Sequence, residues 1–119
     1  MAKGARRSKR RFPGTLREVL ALGEATHAEG LRLAIALKGV HALMTLFTLC
    51  AALGRPCGEH AGQPFADPDT ARRALHWIRA VLEHCPAEAL DWNSIALHEA
   101  MVARDDLVYC PAVYCYLTY

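Results

Sequence analysis

The chain has 119 residues, of which 53% are hydrophobic and 22% are charged, so it is apolar enough to fold as one domain and too apolar to be disordered as a whole. The five cysteines are an odd number, and charges stand where a secretory signal would have its apolar region. These features predict a cytoplasmic protein with reduced thiols. The formal net charge is only +2, but it is distributed very unevenly along the chain.

Residues 1–14 form a predicted basic arm. The first twelve residues contain six cations and no acid: Lys3, Arg6, Arg7, Lys9, Arg10 and Arg11. Residues 13–119 contain eight cations and twelve acids, a net charge of −4. Blocks of like charge repel, resist packing and commonly bind nucleic acid. We therefore expect an arm that contacts phosphates, followed by a single helical domain over residues 15–119.

Two capping boxes mark the start of the predicted helical domain. Thr15 precedes Glu18 by three residues, and Thr26 precedes Glu29 by the same interval. In such a box a hydroxyl and a carboxylate satisfy amide groups at a helix start. The pattern predicts a first helix that begins at residue 16, kinks at Gly23 and restarts at Thr26.

Residues 31–53, LRLAIALKGVHALMTLFTLCAAL, are apolar almost all round. They predict one long helix that stops at Gly54, shortly before Pro56. A membrane span needs about 20 such residues. Four polar residues nevertheless lie in one narrow line along this helix: Lys38, His41, Thr45 and Thr48. The line predicts a central core helix with one exposed stripe, and no membrane insertion.

Residues 54–66 are rich in glycine and proline and predict an irregular loop. Asp67 and Pro68 then supply an N-cap and a proline at the first helical position, which predicts a third helix as far as about His84. Its buried side is predicted to contain Ala71, Leu75, Ile78 and Leu82, widened by Trp77 and Val81. The opposite side carries Arg72, His76, Arg79 and Glu83, with Arg73 alongside.

A fourth helix is predicted to start within Asp91-Trp92-Asn93-Ser94 and to run to about Ala103. Its buried side should contain Trp92, Ile95, Ala96, Glu99 and Val102. The final stretch, LVYCPAVYCYLTY, favours a strand locally through its β-branched and aromatic residues. No partner strand is evident in the sequence, so we expect a final helix after Pro111. The predicted fold class is all-α, a compact bundle of about five helices with a basic N-terminal arm.

No local motif predicts catalysis or a cofactor. A Gly-rich phosphate loop, a nucleophile elbow and a helical metalloprotease motif are all absent from the sequence. We assign no catalytic residue and expect no enzyme. Cys57, His60 and Cys85 lack the recurrent spacing of a structural zinc site, so no metal ligand is assigned. A small metal-binding or redox domain centred on these three residues is one open alternative.

Nucleic-acid binding has two supports in the sequence. The arm can neutralise phosphates and release counterions, and the basic side of the third helix offers a second, rigid platform that Arg17 can extend. The predicted contact residues are Lys3, Arg6, Arg7, Lys9, Arg10, Arg11, Arg17, Arg72, Arg73, His76 and Arg79. No helix-turn-helix, zinc-finger or RNA-recognition motif accompanies them. We therefore expect contact with an RNA or DNA backbone and no reading of bases.

The last part of the chain carries a family resemblance. Leu90-Asp91-Trp92 leads into Ile95-Ala96, and Val113-Tyr114 is followed by a terminal Tyr119. This ending resembles that of the small helical subunits of CRISPR effector complexes, as do the size and the basic surface of the chain. The resemblance implies copies stacked along larger backbone subunits, where they stabilise guide RNA, its target or a displaced strand without catalysis.

The predicted function is therefore that of a non-catalytic, nucleic-acid-binding subunit of a ribonucleoprotein assembly, with larger protein subunits and further copies of itself as partners. The alternative is a small protein-interaction module, such as a phage- or plasmid-encoded inhibitor or adaptor. In that alternative the arm only aids solubility.

Overall fold

The computed structural model describes residues 13–113. The elements are α1 (Leu16–His27), β1 (Arg32–Leu33), α2 (Val40–Ala52), α3 (Pro68–Leu82), a 3₁₀ helix (Ala87–Asp91), α4 (Ser94–Ala103) and β2 (Leu107–Tyr109). The all-α prediction is right only in outline: helix dominates, but the described residues form four α-helices, not five, and a small sheet. None of these helices is long and apolar enough to cross a membrane.

An extended segment at the centre of the fold separates two hydrophobic cores. Leu33 and Ile35 pack in the first core, with α1, α2 and α3. Ala34 and Ala36 pack in the second core, with the 3₁₀ helix, α4 and β2. Successive side chains of an extended chain point to opposite faces, so this short segment contributes to both cores and is at most 3% exposed.

The sheet joins this segment to the end of the described chain. β1 and β2 are parallel, with Arg32 opposite Leu107 and Leu33 opposite Tyr109, and the register is irregular between the two pairs. The amide of Ala34 donates to the Tyr109 carbonyl at 2.9 Å. The predicted preference of residues 107–109 for a strand is therefore correct, and the partner strand is β1, near the other end of the described chain.

The long helix predicted over residues 31–53 is wrong, because only α2 is helical within it. A segment buried on both faces is apolar at every position, so periodicity does not distinguish it from a buried helix. Gly39, with a φ of +57°, lies at the junction where the extended segment gives way to α2. The final helix predicted after Pro111 is not found in residues 111–113, and residues 114–119 lie outside the described part.

The polar line predicted along this helix is only partly exposed. Lys38 and Thr48 are exposed, whereas His41 and Thr45 are buried. The outward face of α2 carries apolar side chains instead, among them Val40, which is 60% exposed.

α1 begins as predicted but does not kink. The Thr15 hydroxyl accepts a hydrogen bond from the Glu18 amide at 3.1 Å, which confirms the first capping box. The helix then runs without interruption through Gly23. Thr26 is buried inside the helix and donates its hydroxyl to the carbonyl one turn earlier at 2.8 Å. The second capping box is therefore wrong.

α3 has the predicted cap and a slightly rotated buried face. Asp67 accepts hydrogen bonds from the amide and the hydroxyl of Thr70, at 3.0 and 2.8 Å. The buried residues are Thr70, Ala74, Trp77, Ile78 and Val81. Leu75, which was predicted to be buried, is 52% exposed.

α4 begins at Ser94, within the predicted start at residues 91–94, because Asn93 is its cap, accepting from the Ala96 amide at 2.8 Å. The residues before it form the 3₁₀ helix. The predicted buried side is only partly right: Trp92 is buried and Ala96 packs against the second core, but the buried residues within the helix are Ser94, Leu97 and Met101. Val102 is 83% exposed.

Candidate nucleic-acid interface

The basic side of α3 faces solvent, as predicted. All four of its basic residues are exposed: Arg72, Arg73, His76 and Arg79. The opposite side of the helix is buried in the first core, so the backbone that carries these side chains is held rigidly. The seven-residue interval from Arg72 to Arg79 corresponds to about 10 Å along a helix axis. One strand of DNA carries about three phosphates over that axial length.

Acidic groups on the same side only weakly offset this charge. Arg72 lies 3.5 Å from a carboxylate oxygen of Asp69, and these two side chains are 66% and 75% exposed. Ion pairs at such exposure contribute about 0–1 kcal/mol. A phosphate, which a guanidinium can bind with two parallel hydrogen bonds, can therefore replace Asp69 as the partner of Arg72.

A hydrogen bond between two helices holds the start of α1 against α3. The indole N–H of Trp77 donates to the Leu16 carbonyl at 2.9 Å. Arg17, another predicted contact residue, directly follows Leu16 and is exposed. The helix start that carries Arg17 is therefore in contact with α3.

The six predicted cations of the arm lie outside the described residues. The described chain begins at Pro13, which lines a groove of about 420 Å³ together with Leu16 and Trp77. The arm is therefore attached next to the contact between α1 and α3.

The three candidate metal-binding residues of the sequence are not brought together. Cys57 and His60 precede α3, whereas Cys85 follows it, and a helix of 15 residues spans about 22 Å. Cys57 instead lies beside Cys50, whose pKa is raised by burial and by the hydrogen bond with Cys57. The described residues hold no group of three or more His, Cys, Asp or Glu arranged for a metal ion.

A row of exposed apolar side chains along α2 was not predicted from the sequence. Val40 and Leu43 project from α2 with 60% and 47% of their surface exposed. Phe47, one turn further along, packs edge-to-face on Phe65 of the following loop, with ring centroids 5.5 Å apart. We call these four residues the α2 apolar stripe. The sequence analysis predicted instead that the exposed stripe of this helix is the polar line at Lys38, His41, Thr45 and Thr48.

No family model matches the chain, and no curated protein or solved structure shows significant similarity to it.

Proposed function

We propose that this protein is a non-catalytic nucleic-acid-binding subunit of a larger ribonucleoprotein assembly. The observation that carries the proposal is the basic side of α3, where Arg72, Arg73, His76 and Arg79 are all exposed on a helix anchored by its opposite face. A rigid row of cations loses little conformational entropy when it binds a regularly spaced polyanion.

The charge distribution confines binding to one region of the molecule. Residues 13–119 carry a net charge of −4, so the domain as a whole does not attract phosphates. We assign the contacts to the arm, to Arg17 and to the basic side of α3, where the predicted contact residues are concentrated. A cluster of positive charge such as that of the arm accelerates encounter with nucleic acid, and the α3 guanidiniums then define the path of the backbone.

The same proposal includes protein partners. Contiguous exposed apolar side chains commonly mark protein contacts, and the α2 apolar stripe offers such a surface in addition to the basic face. We propose that larger subunits, and further copies of this chain, pack along the bound RNA or DNA in the cytoplasm. This arrangement corresponds to that of the small helical subunit of CRISPR effector complexes in antiviral defence.

Binding of fluorescently labelled single-stranded RNA and double-stranded DNA, measured by anisotropy over a series of salt concentrations, tests the proposal. For the triple variant R72Q/R73Q/R79Q, the slope of log affinity against log salt should become shallower by about 2, since each phosphate contact contributes about 0.7–0.9. Deleting residues 1–12 should have a larger effect. Lys38→Gln, an exposed cation outside α3, is the matched control and should change the slope least.

Wild-type protein that binds neither nucleic acid, or binds with an affinity independent of salt, would contradict the proposal. An unchanged slope in the triple variant would show that the basic side of α3 takes no part.

The second candidate function, a protein-interaction module without a nucleic-acid role, is favoured by the α2 apolar stripe. Purification from native cells after nuclease treatment and a high-salt wash distinguishes the two. A polypeptide that is retained by the R72Q/R73Q/R79Q variant and lost from V40D/L43D, with no nucleic acid bound to wild type, would favour the second function.

A further inference from the structure

Two histidines that are distant in sequence meet on the side of the domain where α1 and α3 end. His27 is the last residue of α1, and His84 follows the end of α3. Their Nδ1 atoms lie 3.2 Å apart although the residues are separated by 57 positions. The two rings are nearly perpendicular, with an interplanar angle of 82° and centroids 5.4 Å apart.

The backbone holds His84 firmly in this position. Its amide donates to the Val81 carbonyl at 2.9 Å, and its carbonyl accepts from the Leu33 amide at 2.8 Å. Its ring lies so close to Gly23 that a Cβ atom there would be 2.7 Å from Cδ2 of the ring. His27 lies one turn after Gly23 on the same side of α1. The absence of a side chain at Gly23 therefore allows the two imidazoles to meet.

The spacing of the two nitrogens suits joint coordination of one metal ion. Imidazole nitrogens bind zinc at about 2.0–2.1 Å. Two nitrogens at that distance from one ion and 3.2 Å from each other subtend an angle of about 100° at the ion, close to the tetrahedral value. Both rings also lie at helix C-termini, where the helix dipole favours positive charge.

We propose that His27 and His84 form a binding site for a late first-row divalent metal ion of the Zn²⁺ and Ni²⁺ class, with both Nδ1 atoms as ligands; the ion replaces the Nδ1–H···Nδ1 hydrogen bond, and the donor ring carries its proton on Nε2 instead. Imidazole is a preferred ligand for these ions. Water molecules complete the coordination, because two histidines leave the remaining positions open. This site is independent of the basic side of α3 and does not rest on the proposed function.

The neighbouring thiol does not serve as a third ligand. Cys85 donates its Sγ hydrogen to the Val81 carbonyl at 3.3 Å and packs against both hydrophobic cores. Its thiol therefore has a partner within α3, and the proposed donor set is the two imidazole nitrogens. A thiolate-rich structural zinc site is therefore a different arrangement from the one proposed.

Isothermal titration of the full chain with Ni²⁺, after removal of metal by chelation and dialysis, tests the site. We expect one ion per chain in wild type, and a loss of affinity of about tenfold or more in each of His27→Ala and His84→Ala. His60→Ala and His76→Ala remove exposed imidazoles elsewhere and should leave the affinity unchanged. Circular dichroism of each variant establishes that it is folded.

A second measurement separates ligation from an indirect effect on folding. Zn²⁺ should shift the Nδ1 resonances of His27 and His84 in ¹⁵N spectra of wild type, leaving those of His60 unchanged. Failure to bind millimolar Ni²⁺, or full binding by folded His27→Ala, would overturn the proposal. Loss of binding in Cys57→Ala but not in His27→Ala would place the metal on thiols and overturn it equally.

Discussion

Replacing Gly23 by alanine should have two opposite effects on stability: a gain through higher helix propensity and a loss through overpacking. Alanine is favoured over glycine by about 1 kcal/mol within a helix. The added Cβ, however, would lie 2.7 and 2.9 Å from two atoms of the His84 ring and 3.0 Å from Cδ1 of Leu33. Overpacking of this kind costs about 1–3 kcal/mol. The ring is not free to retreat, because both backbone groups of His84 are hydrogen-bonded.

We therefore expect Gly23→Ala to lower the free energy of unfolding by about 1 kcal/mol, equivalent to about 4 °C in Tm for a domain of this size. Urea unfolding followed by circular dichroism measures the change. Ala25→Gly is the matched control, since Ala25 is exposed in the same helix and loses about 1 kcal/mol through propensity alone. If Gly23→Ala were stabilised by as much as Ala25→Gly is destabilised, the close approach of His84 would be refuted.

Three further predictions concern single groups. Trp77→Phe removes the hydrogen bond to α1 and should lower the free energy of unfolding by about 0.5–1.5 kcal/mol in urea titrations; an unchanged midpoint would contradict this. Hydrogen bonds from Arg104 lower the pKa of Asp106, so the stabilisation is present above about pH 4 and is lost as pH falls through the folded-state pKa. Between about pH 5 and about pH 3, the free energy of unfolding of Asp106→Asn should accordingly fall by less than that of wild type. An equal fall in the two proteins would show that the Asp106 carboxylate does not contribute to this pH dependence. Burial raises the pKa of Cys85 to about 12, so this thiol should resist iodoacetamide at about pH 8, while the partly exposed Cys57 reacts. Peptide mass spectrometry measures the labelling of each cysteine in the native protein. Equal labelling of Cys85 and Cys57 would be inconsistent with the burial of Cys85.

Local signals predicted the starts of α1 and α3 and the basic side of α3. The caps at Thr15 and Asp67 each depend on atoms within three residues of one another. The exposure of Arg72 and Arg79 follows from the helical period once the start of α3 is known. Both kinds of feature are visible in a short window of sequence, and the structure confirms them.

Long-range features were not predictable in the same way. Residues 33–36 are buried by elements on both sides, so their composition matches a buried helix as well as a strand. The contact between His27 and His84 depends on how α1 and α3 are placed by the sheet and the cores. The exposure of Leu75 similarly reflects where the neighbouring helices lie around α3, which a single helix pattern does not specify.

The segment that contributes to both cores has a consequence for how the chain folds. Its even-numbered side chains are covered by the 3₁₀ helix, α4 and β2, all of which follow α3 in the chain. On the ribosome, a nascent chain that ends before Leu107 therefore has no partner for β1 and lacks the part of this cover that Leu107 and Cys110 supply. Pairing of strands so far apart in sequence is intrinsically slow. The domain should consequently gain its stability in one late, cooperative step after synthesis of β2, and truncation before β2 should leave an aggregation-prone chain rather than a smaller stable domain.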